Sequence, residues 1–138
     1  MPAKVAKAKE YTFAIGRRKT ATARVRLYQK KGDNLINDKS VMSFLPSKIS
    51  QKFLFQPLAL TDTQDKFSFS VRVEGSGLKS QLDAIIHSLS RALVKVDAET
   101  YKPILKKAGL LTRDPRMRES RKVGTGGKAR RKKQSPKR

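Results

Sequence analysis

The chain has 138 residues and a formal net charge of +22 at pH 7, with 33 Lys or Arg against 11 Asp or Glu, one His and no Cys. This length holds one domain plus extensions. The missing cysteines exclude disulfides, iron–sulfur clusters and cysteine-based zinc knuckles, and a lone histidine cannot form a multi-histidine metal site.

The charge is unevenly spread. Residues 1–31 carry ten basic residues and one acid, residues 32–110 carry eleven and eight, and residues 111–138 carry twelve and two. A nearly balanced middle between cationic ends implies a flexible basic N-terminus over 1–10, a globular α+β domain over 11–110 and an extended basic tail over 111–138. About 100 residues are enough for a hydrophobic core without metal or disulfide staples. No run of 18 apolar residues is present to span a membrane. Met1 to Glu10 lacks the apolar stretch of a secretory signal, so a cytoplasmic location is the default expectation.

Tyr11 to Ile15 is an apolar, β-prone run, read as interrupted by Gly16-Arg17-Arg18-Lys19. Ala21, Ala23, Val25 and Leu27 then alternate with Thr22, Arg24, Arg26 and Tyr28. Period two predicts a strand with one buried face and with Arg24 and Arg26 side by side on the other. Lys31-Gly32-Asp33-Asn34 reads as a turn and Leu35-Ile36-Asn37 as a short return strand. Met42, Phe44, Leu45, Ile49, Phe53, Leu54 and Leu58 have helical spacing broken by Pro46 and Pro57, which predicts two short helices.

After a polar turn over Thr61 to Lys66, Phe67, Phe69, Val71 and Val73 alternate with Ser68, Ser70, Arg72 and Glu74 as the cleanest strand. Gly75-Ser76-Gly77 opens the longest helix, whose apolar stripe is Leu78, Leu82, Ile85, Ile86, Leu89, Leu93 and Val96. A last helix is expected over roughly Tyr101 to Ala108, with Pro103 in its first turn and Gly109 as a left-handed C-terminal residue. The order of elements predicts an α+β fold, an antiparallel or mixed sheet with helices packed on one face.

Gly75-Ser76-Gly77-Leu78-Lys79-Ser80 stands where a dinucleotide fingerprint would, and Asp97 lies twenty residues after Gly77. Ser80 replaces the third glycine and no clear strand precedes Asp97, so a tight turn at a helix start is the better reading. Gly124-Thr125-Gly126-Gly127-Lys128 is not a P-loop: its first glycine is Lys122, and Ala129 replaces the magnesium-binding Ser or Thr. His87, at the edge of the helix stripe, reads as a boundary residue rather than a general base. No catalytic residue, metal ligand, cofactor or small-molecule substrate is expected.

The basic clusters point to a polyanion. Arg17-Arg18-Lys19 beside Arg24 and Arg26 suits phosphate, because guanidinium groups bind it bidentately. Beyond Leu111 almost nothing apolar is left to bury, so the tail alone cannot offset the entropy of ordering. It also has no apolar face for a membrane surface. Extended at about 3.3 Å per residue, such a tail reaches roughly 90 Å, against a radius of gyration near 13 Å for the body. That geometry suits a large folded RNA, with duplex DNA as the alternative polyanion.

Gly16-Arg17-Arg18-Lys19-Thr20-Ala21-Thr22-Ala23-Arg24-Val25, Ser90-Arg91-Ala92-Leu93, Gly109-Leu110-Leu111-Thr112-Arg113-Asp114, Lys128-Ala129-Arg130-Arg131 and the terminal Lys137-Arg138 occur in that order. Together they resemble small-subunit ribosomal protein nine, of the bacterial or organellar type. The resemblance implies a fold like the second domain of small-subunit ribosomal protein five. It also implies a place in the head of the small subunit, in the cytoplasm or an organelle, on the 3′ domain of the ribosomal RNA and beside other head proteins.

Carried over, Arg17, Arg18, Lys19, Arg24, Arg26, Arg113, Arg116, Arg118, Arg121, Lys122, Lys128, Arg130, Arg131, Lys132 and Lys133 would bind ribosomal RNA. Lys137 and Arg138 would reach transfer RNA in the peptidyl site. Two stretches depart from the family pattern: Ser76 and Ser80 stand where glycines are common, and Pro136 precedes the final Lys-Arg without the usual aromatic. A small-molecule kinase-like enzyme of the same fold is the alternative from another class, and it would need the Gly75 to Ser80 turn to bind a nucleotide.

Overall fold

The computed structural model describes residues 11–118 and Ser120. Expectations for residues 1–10, for Arg121, Lys122, Lys128, Arg130, Arg131, Lys132 and Lys133, and for Lys137 and Arg138 lie outside the described residues. So does the Gly124 to Lys128 segment.

Five strands form one mixed sheet in the order β1-β2-β5-β3-β4. They are β1 (Tyr11–Arg18), β2 (Ala21–Tyr28), β3 (Leu35–Ile36), β4 (Lys39–Ser40) and β5 (Ser68–Glu74). β1 pairs antiparallel with β2, β2 with β5 and β3 with β4, whereas β3 runs parallel to β5. Helices α1 (Val41–Phe44), α2 (Lys48–Leu54), α3 (Gln56–Leu60), α4 (Leu78–Val96) and α5 (Ala98–Lys107) cover one face. The α+β class with one-sided helices agrees with the sequence reading.

The alternation in β2 and β5 is realised as expected. Ala21, Ala23, Val25, Leu27, Phe69, Val71 and Val73 are buried, and they meet Leu82, Ala84, Ile85, Leu89, Ala92 and Leu93 of α4 in one core. At roughly 25 cal/mol per Å² of buried apolar surface, this contact is the main stabilising term of the domain. Leu78, placed on the stripe by its spacing, is instead exposed in the first turn of α4.

Four local expectations are corrected. β1 does not stop at Gly16; it continues to Arg18, with Gly16 buried in register opposite Ala23. A Cβ there would lie 2.3 Å from Ala84 O and 2.4 Å from Ser88 N, so the glycine lets the α4 backbone lie against the strand. The expected short return strand, β3, lies not beside the preceding β2 but between β5 and β4. The side chains of Asn34 and Asn37 tie it to β5: Asn34 Oδ1 accepts from Phe69 N at 3.2 Å, and Asn37 Oδ1 accepts from Val73 N at 2.9 Å.

Residues 40–60 form three short helices rather than two, because Pro57 opens α3 in its first turn, where no donor is required. α5 starts at Ala98, capped by Asp97 Oδ1 accepting from Thr100 N at 3.2 Å, so Pro103 lies in its interior. The other end is as expected. Gly109 has φ 76°, Gly109 N donates to Lys106 O, and Leu110 N donates to Leu105 O. This Schellman closure turns the chain back so that Leu110 and Leu111 pack on the core.

The Gly16 contact gives a direct test. Gly16→Ala forces backbone apart from backbone, and we expect it to lower the unfolding free energy by about 2 kcal/mol or more in urea denaturation. Unchanged stability would mean that α4 does not lie on β1 as described.

Candidate nucleic-acid interface

The sheet face away from the helices is open, and its residues follow from the register. Phe13 pairs with Arg26 and Ile15 with Arg24, while across β5 Arg24 faces Arg72 and Arg26 faces Ser70. Arg24, Arg26 and Arg72 are exposed, as is Phe13. Arg26 lies 5.2 Å over the Tyr11 ring, a cation–π contact on the neighbouring strand. Like charges directly opposite on adjacent strands are destabilising. The exposed Asp38 carboxylate, 3.5 Å from Arg72, offsets this only in part. The face therefore carries positive charge that Asp38 balances only in part.

Arg17 is exposed at the end of β1, and Lys19 is exposed at the β1–β2 hairpin tip with φ 52°. The neighbouring turn is packed against this tip: Gly75 has φ 85°, and a Cβ there would lie 2.5 Å from Thr20 O. Strand packing thus accounts for the first glycine of the nucleotide-like motif. Gly77 is the N-cap of α4 and makes no close approach.

Arg18 behaves differently from the other cations of its cluster. Its side chain is only 14% exposed and faces inward. Nη1 donates to Arg116 O at 2.8 Å and lies 3.1 Å from Asp114 Oδ1, and Nε lies 3.7 Å from Asp83 Oδ2. Asp114 Oδ1 also accepts from Arg116 N at 3.0 Å, an Asx-type turn around Pro115, and Oδ2 accepts from Arg116 Nη2 at 2.7 Å. These Arg116 hydrogen bonds, with the Arg116 and Arg18 charges, hold the Asp114 carboxyl well below the usual carboxylate range. Arg18 therefore fixes the path of residues 114–116 along the body.

His87 holds the same segment one step earlier. Its Nε2 donates to Leu111 O at 3.3 Å, and its Nδ1 is buried without a partner among the described residues. Burial, followed by the nearby Arg91 and Arg113 charges, pulls its pKa below the ordinary 6.5, against the raising effect of the Leu111 hydrogen bond.

Two further α4 side chains reach the border of β1: Arg91 Nη1 donates to Ile15 O at 2.6 Å and Lys95 Nζ to Phe13 O at 2.7 Å. The sequence reading missed both, together with Arg72. Their spacing of one helical turn was visible, but not that β1 is the edge strand they reach. Of the expected RNA contacts, Arg17, Lys19, Arg24, Arg26, Arg113 and Arg118 are exposed, Arg116 is exposed but paired with Asp114, and Arg18 is turned inward. Among the described residues no group of three His, Cys, Asp or Glu could hold a metal, and no helix is long and apolar enough to cross a membrane.

The sequence model of the family described as Ribosomal protein S9/S16 matches residues 16–138. The chain belongs to the ribosomal protein S9 family. It is also 45% identical over 119 residues to the small ribosomal subunit protein uS9 of Maridesulfovibrio salexigens, covering 86% of this chain and 91% of that protein. Family membership makes the chain a structural constituent of the small ribosomal subunit and not an enzyme. The cationic sheet face is thus the surface of a ribonucleoprotein component.

Two measurements probe this surface in the free protein. Arg24→Thr removes one of two facing charges and keeps strand propensity; we expect a gain of about 0.2–1 kcal/mol in denaturant unfolding, and a loss would contradict the repulsion. For His87, the unfolded chain takes up a proton near pH 6.5 while the folded protein resists it. Stability present above pH 6.5 is therefore lost as pH falls through the lower folded value, and His87→Gln should flatten this slope between pH 7 and 5. Asp114 stays ionised throughout that window.

Proposed function

We propose that the chain binds the 3′ domain of the small-subunit ribosomal RNA in the head of the subunit, with its tail extending to transfer RNA in the peptidyl site. Arg17, Lys19, Arg24 and Arg26 act from the body, joined by Arg72, and Arg113 to Lys133 from the tail. Lys137 and Arg138 meet the transfer RNA, and other head proteins are its neighbours. The ribosome locates it in the cytoplasm or the corresponding organellar compartment.

The observation that carries this reading is the Arg24–Arg72 pair, balanced only in part by Asp38, on an open sheet face in a chain with net charge +22. Cations that repel in the free protein are relieved when phosphates approach and their counterions are released. The body supplies register through phosphate contacts. The Arg18 and His87 contacts aim the root of the tail, which limits how many directions the remaining cations must search.

If roughly ten phosphates are neutralised, affinity for small-subunit ribosomal RNA should fall about 10³-fold or more between 50 and 200 mM salt. A flat response, or equal affinity for duplex DNA at matched salt, would contradict the reading. Deleting Pro136 to Arg138 should leave subunit assembly intact and weaken peptidyl-site transfer-RNA binding. Unchanged transfer-RNA affinity would remove the role given to Lys137 and Arg138.

A further inference from the structure

Along the outer border of β1, two cations that the sequence singled out, Arg17 and Arg113, meet two that it did not, Arg91 and Lys95. Arg91 and Lys95 of α4, with Phe13, Ile15 and Arg17 of β1 and Arg113 of the tail root, line an open groove of about 480 Å³. Among the described residues no carboxylate lines it. Four cations around one groove without a counter-charge hold it ready for an anion.

Two of these cations are fixed in place. One donor of Arg91 and one of Lys95 are committed to the β1 carbonyls, at 2.6 and 2.7 Å. A guanidinium has five donors and an ammonium three, so each group can anchor to the strand and still face a ligand. Phe13, 39% exposed, adds an aromatic ring to the lining.

We infer that this groove holds a single-stranded segment of RNA, its phosphates against Arg17, Arg91, Lys95 and Arg113 and one base stacked on Phe13. A cationic groove with an accessible aromatic ring is how proteins grip unpaired strands, since every base offers a face to stack. A duplex keeps those faces covered. The inference rests on the RNA-binding reading above and extends it to Phe13, Arg91 and Lys95.

The test measures binding of the full chain to small-subunit ribosomal RNA across a salt series. Arg91→Gln with Lys95→Gln should weaken binding about tenfold or more and reduce the log–log salt slope by about 1.4, the value for two charges on a single strand. Because those side chains also brace β1, Arg17→Gln with Arg113→Gln provides a pair that, among the described residues, donates to no β1 carbonyl, and the same change is expected. Phe13→Leu should lower affinity roughly fivefold or more with the slope unchanged. Lys102→Gln with Lys106→Gln, at the same spacing on α5, controls for general charge loss and should have a smaller effect.

If the unaltered chain fails to bind the RNA, the broader reading falls. If it binds while the Arg17 and Arg113 pair and Phe13→Leu bind equally well, only the groove assignment is overturned. The same holds if an acidic peptide occupies the groove without displacing RNA.

Discussion

The close contact of α4 with β1 at Gly16 is the constraint on which the other features depend. With no Cβ between them, the strand backbone meets Ala84 and Ser88, and the helix lies along the border of the sheet. One face of α4 then fills the core with Leu82, Ile85, Leu89 and Leu93. Its flank places His87, Arg91 and Lys95 one turn apart beside the strand. His87 takes the tail root at Leu111, while Arg91 and Lys95 take the carbonyls of β1. An exposed edge strand invites pairing with another chain, and lysine or arginine along it blocks that approach. Stability, edge protection and cation placement thus share one helix.

The charges divide by the work they do. Arg18 and Asp114 are satisfied internally and set where the tail leaves the body. Arg24 and Arg72 face each other across two strands and weaken the free protein. On the proposed RNA-binding reading, phosphates relieve this repulsion in the assembled subunit. Isolated stability and assembled function therefore ask opposite things of these positions.

The parts of the fold legible in the sequence were those set by local period. The alternation through Ala21–Tyr28 and Phe67–Glu74 and the 3.6-residue stripe of α4 needed no partner to be read. The parallel pairing of β3 with β5 rests on Asn34 and Asn37 reaching residues 35 and 36 positions away, which no local pattern reveals. Gly16 looked like a turn because its role is to receive a helix some seventy residues later in the chain. The periodicity places the start of α5 near Tyr101, with Pro103 in a first turn, because the Asp97 cap on Thr100 is not part of any apolar pattern. The arginines of β2 were readable from alternation; Arg18 looked like its neighbours because burial against Asp83 and Asp114 is a tertiary fact.

In the proposed reading, a fixed set of arginines around β1 and on the open sheet face meets RNA while Arg18 does not. Arginine-selective labelling of the free chain and of the assembled small subunit, read by mass spectrometry, tests it most directly. The expected result is that Arg17, Arg24, Arg26, Arg72, Arg91 and Arg113 react in the free chain and become protected on assembly, with Arg18 unreactive in both. Equal reactivity of the first six before and after assembly, or a reactive Arg18 in the free chain, would contradict it.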